Sequence, residues 1–435
     1  MKNIIDKIIS KIYWLIYKEN PSENVKIFID NLYYVIIGFG LAALLSFIFQ
    51  VLSGRILGPE EYGKYTIVQS IAMFIFIPMN LGISTAMIKY NAESEDFERQ
   101  KKIISASYII TLIFSIFFSF LYFFYSQFFS KILNISVDTF NFSIIFALLF
   151  NLYTLSTSVL RSLHKMKRLS FVQAIYGLLA VVLSLVFLYS LSFKIIVIIS
   201  YISYIFVFLL ITFSIYKYLI FELDKFWVEK LFRYSFYVII GSVASAFYLN
   251  FNKIIINKYL TLTDVGIFGA YFTCFITLPN FLFSIFNTVF FPSASKYRDK
   301  NKIFVKLNKI VFILVIAGFP AIASIGFLLL KLYGSKYYLN FSLGLMFACA
   351  SLLVLIDGLY GWLMSSVGKT GAKISSISAI VLATISIILS ILLVPSMGLK
   401  GAVISMIFSY CISIGILLMN KKIILSIPSE YDRNK

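Results

Sequence analysis

From residue 31 onward the chain alternates long apolar stretches with short polar ones. A helix needs roughly 20 apolar residues to cross the hydrocarbon of a bilayer. Stretches of that length fall at 31–54, 65–88, 104–128, 139–160, 170–190, 195–216, 234–257, 265–293, 305–330, 341–366, 374–395 and 400–420. They are continuously apolar, whereas the strands of a membrane barrel alternate apolar and polar positions. The pattern predicts an all-α, polytopic membrane protein of about twelve transmembrane helices. Between the first two spans, Arg55 to Lys64 reads as a short loop built on Gly58, Pro59 and Gly63, residues that suit turns.

Composition agrees. The 435 residues are 60% hydrophobic and 13% charged, against about 25% charged in a soluble domain. The formal net charge is +19, which in a soluble protein would suggest nucleic acid. No aromatic-interleaved basic face is present, and the charge has another explanation. With the N-terminus placed in the cytoplasm and residues at span edges counted with the adjoining connection, 29 of the 38 Lys and Arg fall in cytoplasmic segments, eight fall in outer loops, and Lys253 alone lies well within a span. That bias matches the positive-inside rule, puts both termini in the cytoplasm and leaves no role for nucleic acid.

Residues 1–28 place Ile4, Ile5, Ile8, Ile9, Ile12 and Leu15 at helical spacing beside Lys7, Lys11 and Lys18. This is the pattern of an amphipathic helix on the membrane surface, and no cleavage site follows it. The longest connection in mid-chain divides the spans six and six. It gives an N-terminal half at 29–217, a cytoplasmic linker at 218–233, a C-terminal half at 234–421 and a tail at 422–435. The halves open alike: Asp264 aligns with Glu61, Gly266 with Gly63 and Phe268 with Tyr65, and each following span bears a proline, Pro78 or Pro279. Duplication into two six-helix halves is a transporter signature, with the substrate path at their interface.

RILGPEEYG, the span ending LGISTAMIKYNAE, and PSMGLKGAVIS at 395–405 resemble bacterial polysaccharide flippases. These are the O-antigen and capsule repeat-unit translocases of the multidrug/oligosaccharidyl-lipid/polysaccharide exporter superfamily. The resemblance covers nearly the whole chain. It implies a cytoplasmic (inner) membrane protein that moves polyprenyl-diphosphate-linked oligosaccharide outward by alternating access, alongside other polysaccharide-assembly membrane proteins. A cation-coupled multidrug exporter of the same superfamily is the alternative.

A diphosphate crossing hydrocarbon needs a polar path and cations. Lys253, flanked by Asn250 and Asn252, is the leading candidate for substrate binding, against the alternative of a lysine snorkelling from a helix end. Arg55 is placed to meet the head group at the outer mouth, or else to anchor the interface or pair with Glu60 or Glu61. Arg161, in a cluster with Lys165, Lys167 and Arg168, is placed to receive the diphosphate at the inner leaflet, although topology explains its charge equally well. Asp357 is the only acid well inside an apolar stretch. It is the candidate for a coupling proton or sodium ion, or for pairing with Lys253; a helix break at Gly358 and Gly361 would instead leave it wet. Asn80, Asn151, Asn280 and Asn287 could bond sugar hydroxyls or neighbouring helices.

Other signals point away from enzymes and cofactors. GKTG at 368–371 lacks the glycine and the strand of a phosphate loop. Three cysteines and the single His164 show no metal spacing. No catalytic triad or paired general acid and base appears, and no loop is large enough for a glycan-building domain. The chain is read as a transporter that uses no cofactor other than an ion gradient.

Overall fold

The computed structural model describes residues 23–93, 96–220, 222–284, 300–367 and 369–421. The expected surface helix before residue 23, Asn287, Gly368 and the tail beyond 421 lie outside them. Among the described residues every regular element is helical.

The first element, α1 (Glu23–Asn80), runs 58 residues but is two helices joined at Gly58, whose φ of 75° and ψ of 172° leave the helical region. Only glycine adopts that φ without strain, and Pro59 brings a fixed φ that starts the next helix at once. The loop expected at 55–64 is therefore a one-residue corner. At the other end Leu81 and Gly82 take positive φ (50° and 71°), and the span resumes as α2 (Ile83–Ala92).

There follow α3 (Phe97–Phe124), a short α4 (Ser126–Leu133), α5 (Val137–Ser162), α6 (Met166–Val186) and α7 (Phe193–Ser214). The second half begins with α8 (Lys225–Tyr259) and α9 (Leu262–Phe272), then has α10 (Lys300–Ile313), α11 (Phe319–Leu330), α12 (Phe341–Ser365), α13 (Lys369–Met397) and α14 (Leu399–Met419). Starts are capped as the residue types dictate. The side chains of Asp96, Ser136, Ser192, Asp224 and Asn340 accept from backbone amides two or three residues on, and Thr261 with Asp264 forms a capping box. The acid aligned with Asp264, Glu61, pairs instead with Lys64.

Ten helices among the described residues are long and apolar enough to cross a membrane, and a pair bent by 50°, Lys225–Phe236 with Gly241–Tyr259, makes eleven. Gly38–Asn80 counts once there, yet its 43 residues would measure about 65 Å if straight, twice the thickness of hydrocarbon. Divided at Gly58 it is two spans, which brings the number to the twelve expected.

Pro279 and Pro320 each follow a π-helical turn, Thr273–Thr277 and Leu314–Gly318. A helical proline clashes with the carbonyl four residues back. That carbonyl belongs to Phe275 or Ile316, inside the wider turn, so the π turns accommodate the prolines.

Within the N-terminal half, α1 packs on α5 and α6, and α5 on α7. In the C-terminal half, α13 packs on α14 and α8, and α12 on α14. Buried amides and hydroxyls join helices where hydrocarbon offers no driving force. Asn80 Nδ2 donates to Asn151 Oδ1 (2.7 Å) and Ser84 Oγ (2.8 Å), and Asn151 Nδ2 donates to Ser115 Oγ (2.8 Å). These two asparagines serve helix packing. Ser390 and Ser405 donate to Asn252 Oδ1 at 2.5 and 3.4 Å, tying α8 to α13 and α14.

Candidate functional site

The helix ends define two faces. One carries the cation-rich connections 89–102, 161–168 and 217–233 and is called the basic end; the opposite one, with Gly58 and the connection 331–340, is the far end.

At the far end the halves touch directly. A Cβ on Gly63 would lie 1.9 Å from the carbonyl oxygen of Leu262, and one on Gly266 would lie 1.8 Å from that of Pro59. Around this contact the hydroxyls of Tyr62 and Tyr333 meet at 3.4 Å, and the Tyr337 hydroxyl donates to the Gly54 carbonyl at 2.9 Å. Asn257 Nδ2 donates to the Leu133 carbonyl at 3.2 Å. Tyr62, Tyr333 and Tyr337 are almost fully buried. These contacts seal the far end.

Toward the basic end the halves part around a cavity of about 740 Å³, walled by Met73, Phe76 and Ile77 of α1 and by Ser245, Asn250 and Asp357 of the second half, among others. It shares Asp357, Ser245, Tyr248 and Ser375 with a cavity of about 630 Å³ inside the second half, which reaches Asn280, Tyr410 and Ser413. Among the described residues Asp357 is thus the one carboxylate on the walls of this joined space. Ser413 Oγ donates to Asp357 Oδ1 at 2.5 Å, and Ser378 and Ser413 share a hydrogen bond of 2.6 Å. Among the described residues no Lys or Arg lies within ion-pair distance of Asp357.

A further cavity, of about 350 Å³, lies between α1, α5, α6, α7 and the π turn at Thr273–Thr277. Tyr153, Tyr176 and Tyr204 line it with Gln50, Gln173, Thr273 and Thr277. The Tyr176 and Tyr204 rings stack at 4.8 Å, and Tyr153 lies 5.2 Å from Tyr204. Arg161 follows Tyr153 by eight residues, on the same face of α5, and the two interact electrostatically. Just beyond, on the connection to α6, burial and then the charge of Arg168 lower the Lys165 ammonium from its ordinary value.

The sequence candidates are therefore dispersed. Asn250 and Asp357 share a cavity wall, while Arg161 lies toward the end of α5, eight residues past Tyr153, and lines none of these three cavities. Asn252 is engaged by serines between helices. Lys253 does not pair with Asp357: its Nζ lies 4.8 Å from the centroid of the Phe272 ring, and it lines none of these three cavities. Arg55 pairs with neither Glu60 nor Glu61; its Nη1 donates to the Leu332 carbonyl at 3.4 Å, on the far-end seal. Isolated charges do not point to Tyr248, Tyr410, Ser378 or Ser413, although Ser405, Ser409 and Ser413 recur every fourth residue along one helix face.

The sequence of residues 28–298 is similar to a family described as polysaccharide biosynthesis protein. Among solved structures, the inward-facing conformation of a multidrug resistance MATE family transporter of the MOP superfamily is similar with a TM-score of 0.72 and 14% identity, over 90% of this chain and 98% of that one. The lipid II flippase MurJ, in an inward closed conformation, is similar with a TM-score of 0.65 and 14% identity, over 89% of this chain and 87% of that one. An outward-facing multidrug resistance MATE family transporter is similar with a TM-score of 0.60 and 14% identity, over 90% and 95%. No match was found among curated proteins.

Proposed function

Since this chain belongs to the polysaccharide biosynthesis protein family and has the fold of the MOP transporters, we propose that it flips polyprenyl-diphosphate-linked oligosaccharide across the bacterial inner membrane. In this reading both termini and the basic end face the cytoplasm. The observation that carries it is the cavity of Tyr153, Tyr176, Tyr204, Gln50 and Gln173, with Arg161 about two helical turns beyond Tyr153 on α5. A guanidinium meets phosphate oxygens in pairs. Tyrosine faces stack on the apolar faces of sugar rings, and amides and hydroxyls bond their hydroxyls.

The sealed far end and the cavities toward the basic end then correspond to the state that loads from the cytoplasmic leaflet. Release requires the Gly63–Gly266 contact to part while the basic end closes. Asp357, on the wall with Asn250, is the group that binds a coupling proton or sodium ion. Lys253 and Arg55 take part only as the far end rearranges, because in this state neither lines these cavities. Other membrane proteins of polysaccharide assembly supply the substrate and take up the product.

One observation favours a multidrug exporter: the inter-half cavity carries a carboxylate with no cationic partner among the described residues, beside Tyr248 and Trp362, a lining suited to an organic cation. Removing the protein from its native cell separates the readings. Flipping predicts accumulation of lipid-linked oligosaccharide on the inner leaflet and loss of surface polysaccharide. Normal surface polysaccharide with new sensitivity to cationic drugs would establish the exporter.

A further inference from the structure

At the basic end, the seam between α2 and the leading segment of α8 seats cations on aromatic rings. Lys89, in the last turn of α2, places its Nζ 4.1 Å from the centroid of the Tyr234 ring and 5.3 Å from that of Tyr90. Lys230 of α8 places its Nζ 4.9 Å from Tyr90 and 5.1 Å from Trp227. The two ammonium groups, one from α2 and one from the segment of α8 ahead of its 50° bend, thus share the Tyr90 ring. Arg99 at the start of α3 lies 5.1 Å over Trp227 and donates to the Tyr90 carbonyl (3.2 Å) and to Glu93 (3.1 Å). Among the described residues its buried Nε has no hydrogen-bond partner.

Neighbouring cations on the same surface have acids. Lys101 pairs with Glu98, Lys102 with Asp224 and Arg233 with Glu229. Among the described residues no carboxylate lies within ion-pair distance of Lys89 or Lys230, and Glu93 is the only one near Arg99. Ring faces hold and orient an ammonium group without neutralising it. Topological charge bias accounts for the number of cations at this end; it does not account for two lysines from different helices, with no acid partner among the described residues, converging on one ring. The rings themselves, Trp227, Tyr90 and Tyr234, are of the kind that sits at head-group level, where span ends meet water. An anion placed there meets oriented donors from three helices.

We propose that Lys89, Lys230 and Arg99 form a binding site for the phosphate of a membrane-lipid head group, closed by Tyr90, Tyr234 and Trp227. The ligand is a phosphate with its own acyl or prenyl chain running down the outside of the α2–α8 seam. Because the donors come from α2, α3 and the leading segment of α8, occupancy clamps that segment against the N-terminal half. The site is separate from Arg161 and the tyrosine cavity, and it stands whether or not oligosaccharide is the cargo.

The test uses the full chain purified into phosphatidylcholine nanodiscs supplemented with phosphatidylglycerol, with lipids retained on the protein counted by native mass spectrometry. Wild type retains phosphatidylglycerol over phosphatidylcholine, and Lys89→Gln/Lys230→Gln lowers that retention at least tenfold. Lys89→Arg/Lys230→Arg preserves it, and Lys101→Gln/Lys102→Gln on the same surface leaves it unchanged. Substituting polyprenyl diphosphate for phosphatidylglycerol identifies the source of the phosphate: stronger retention, equally dependent on Lys89 and Lys230, assigns the site to the prenyl lipid. Equal retention by wild type and Lys89→Gln/Lys230→Gln, with unfolding temperatures showing both folded, overturns the site. So does an equal loss in Lys101→Gln/Lys102→Gln, which would reduce the effect to general surface charge.

Discussion

Gly63 and Gly266 pack backbone against backbone across the far end, each meeting the residue that opens the other's copy of the repeat. Gly63 faces Leu262 and Gly266 faces Pro59, and the same offset in sequence separates Pro59 from Leu262 as separates Gly63 from Gly266. The contact is therefore symmetric between the halves. A single methyl group on either side has nowhere to go, because the obstructing atoms belong to backbone. Gly63→Ala and Gly266→Ala should each destabilise the sealed arrangement by about 1–3 kcal/mol. Labelling of Cys274, now 1% exposed, by a thiol reagent checks this: faster labelling in either variant is expected, and an unchanged rate would mean that the seal does not depend on the glycines.

Asp357→Asn keeps an oxygen for the Ser413 hydroxyl and removes the charge. If Asp357 couples transport to an ion gradient, the variant should fold with an unchanged unfolding temperature and transport at a rate independent of a proton or sodium gradient. Persistence of the wild-type gradient dependence in reconstituted vesicles would exclude this carboxylate from coupling.

Asn80→Ala removes two hydrogen bonds and leaves the Asn151 Oδ1 without its donor. Interhelical bonds of this kind contribute roughly 1 kcal/mol each, so a loss of about 1–2 kcal/mol in stability is expected. Transport per folded molecule should stay at the wild-type level. A specific fall in transport, with stability unchanged, would instead place Asn80 on the substrate path.

Asp224 caps α8 and pairs with Lys102 of α3 at 3.3 Å. Burial acts to raise its carboxyl, but the Lys102 ammonium and the Trp227 and Phe226 amides outweigh it and hold it below its ordinary value. A carboxyl lowered in the folded protein stabilises fully above its unfolded value and loses that contribution as pH falls through its folded value. The difference in unfolding temperature between wild type and Asp224→Ala should therefore be constant from pH 8 to about 5 and shrink below about pH 4. A difference that persists at low pH would assign the effect to the cap alone.

Much of this architecture was legible in the sequence because hydrocarbon imposes length and continuity on each span. The repeat was legible because Gly63 and Gly266 are held by a backbone contact that tolerates no other residue. What escaped was the chemistry of uncharged side chains. Tyr153, Tyr176 and Tyr204 stand among 29 tyrosines, and only packing shows which of them share a cavity. Lys253 drew attention as a charge within a span, yet helix phase turns it onto Phe272, while Asn250, three residues earlier, reaches the cavity wall. In the sequence Gly58 reads as part of a loop, because sequence does not show that Pro59 restarts the helix immediately.

The most direct test of the account is translocation itself. Lipid-linked oligosaccharide from the native cell is reconstituted with the purified protein in vesicles, and its exposure on the opposite leaflet is followed with a membrane-impermeant sugar-oxidising reagent. Wild type should expose the glycan at a rate that falls at least tenfold in Arg161→Gln and in Gln173→Ala, both folded as judged by thermal unfolding. Exposure no faster than in protein-free vesicles would contradict the flippase reading, and wild-type rates in both variants would remove Arg161 and the tyrosine cavity from the path.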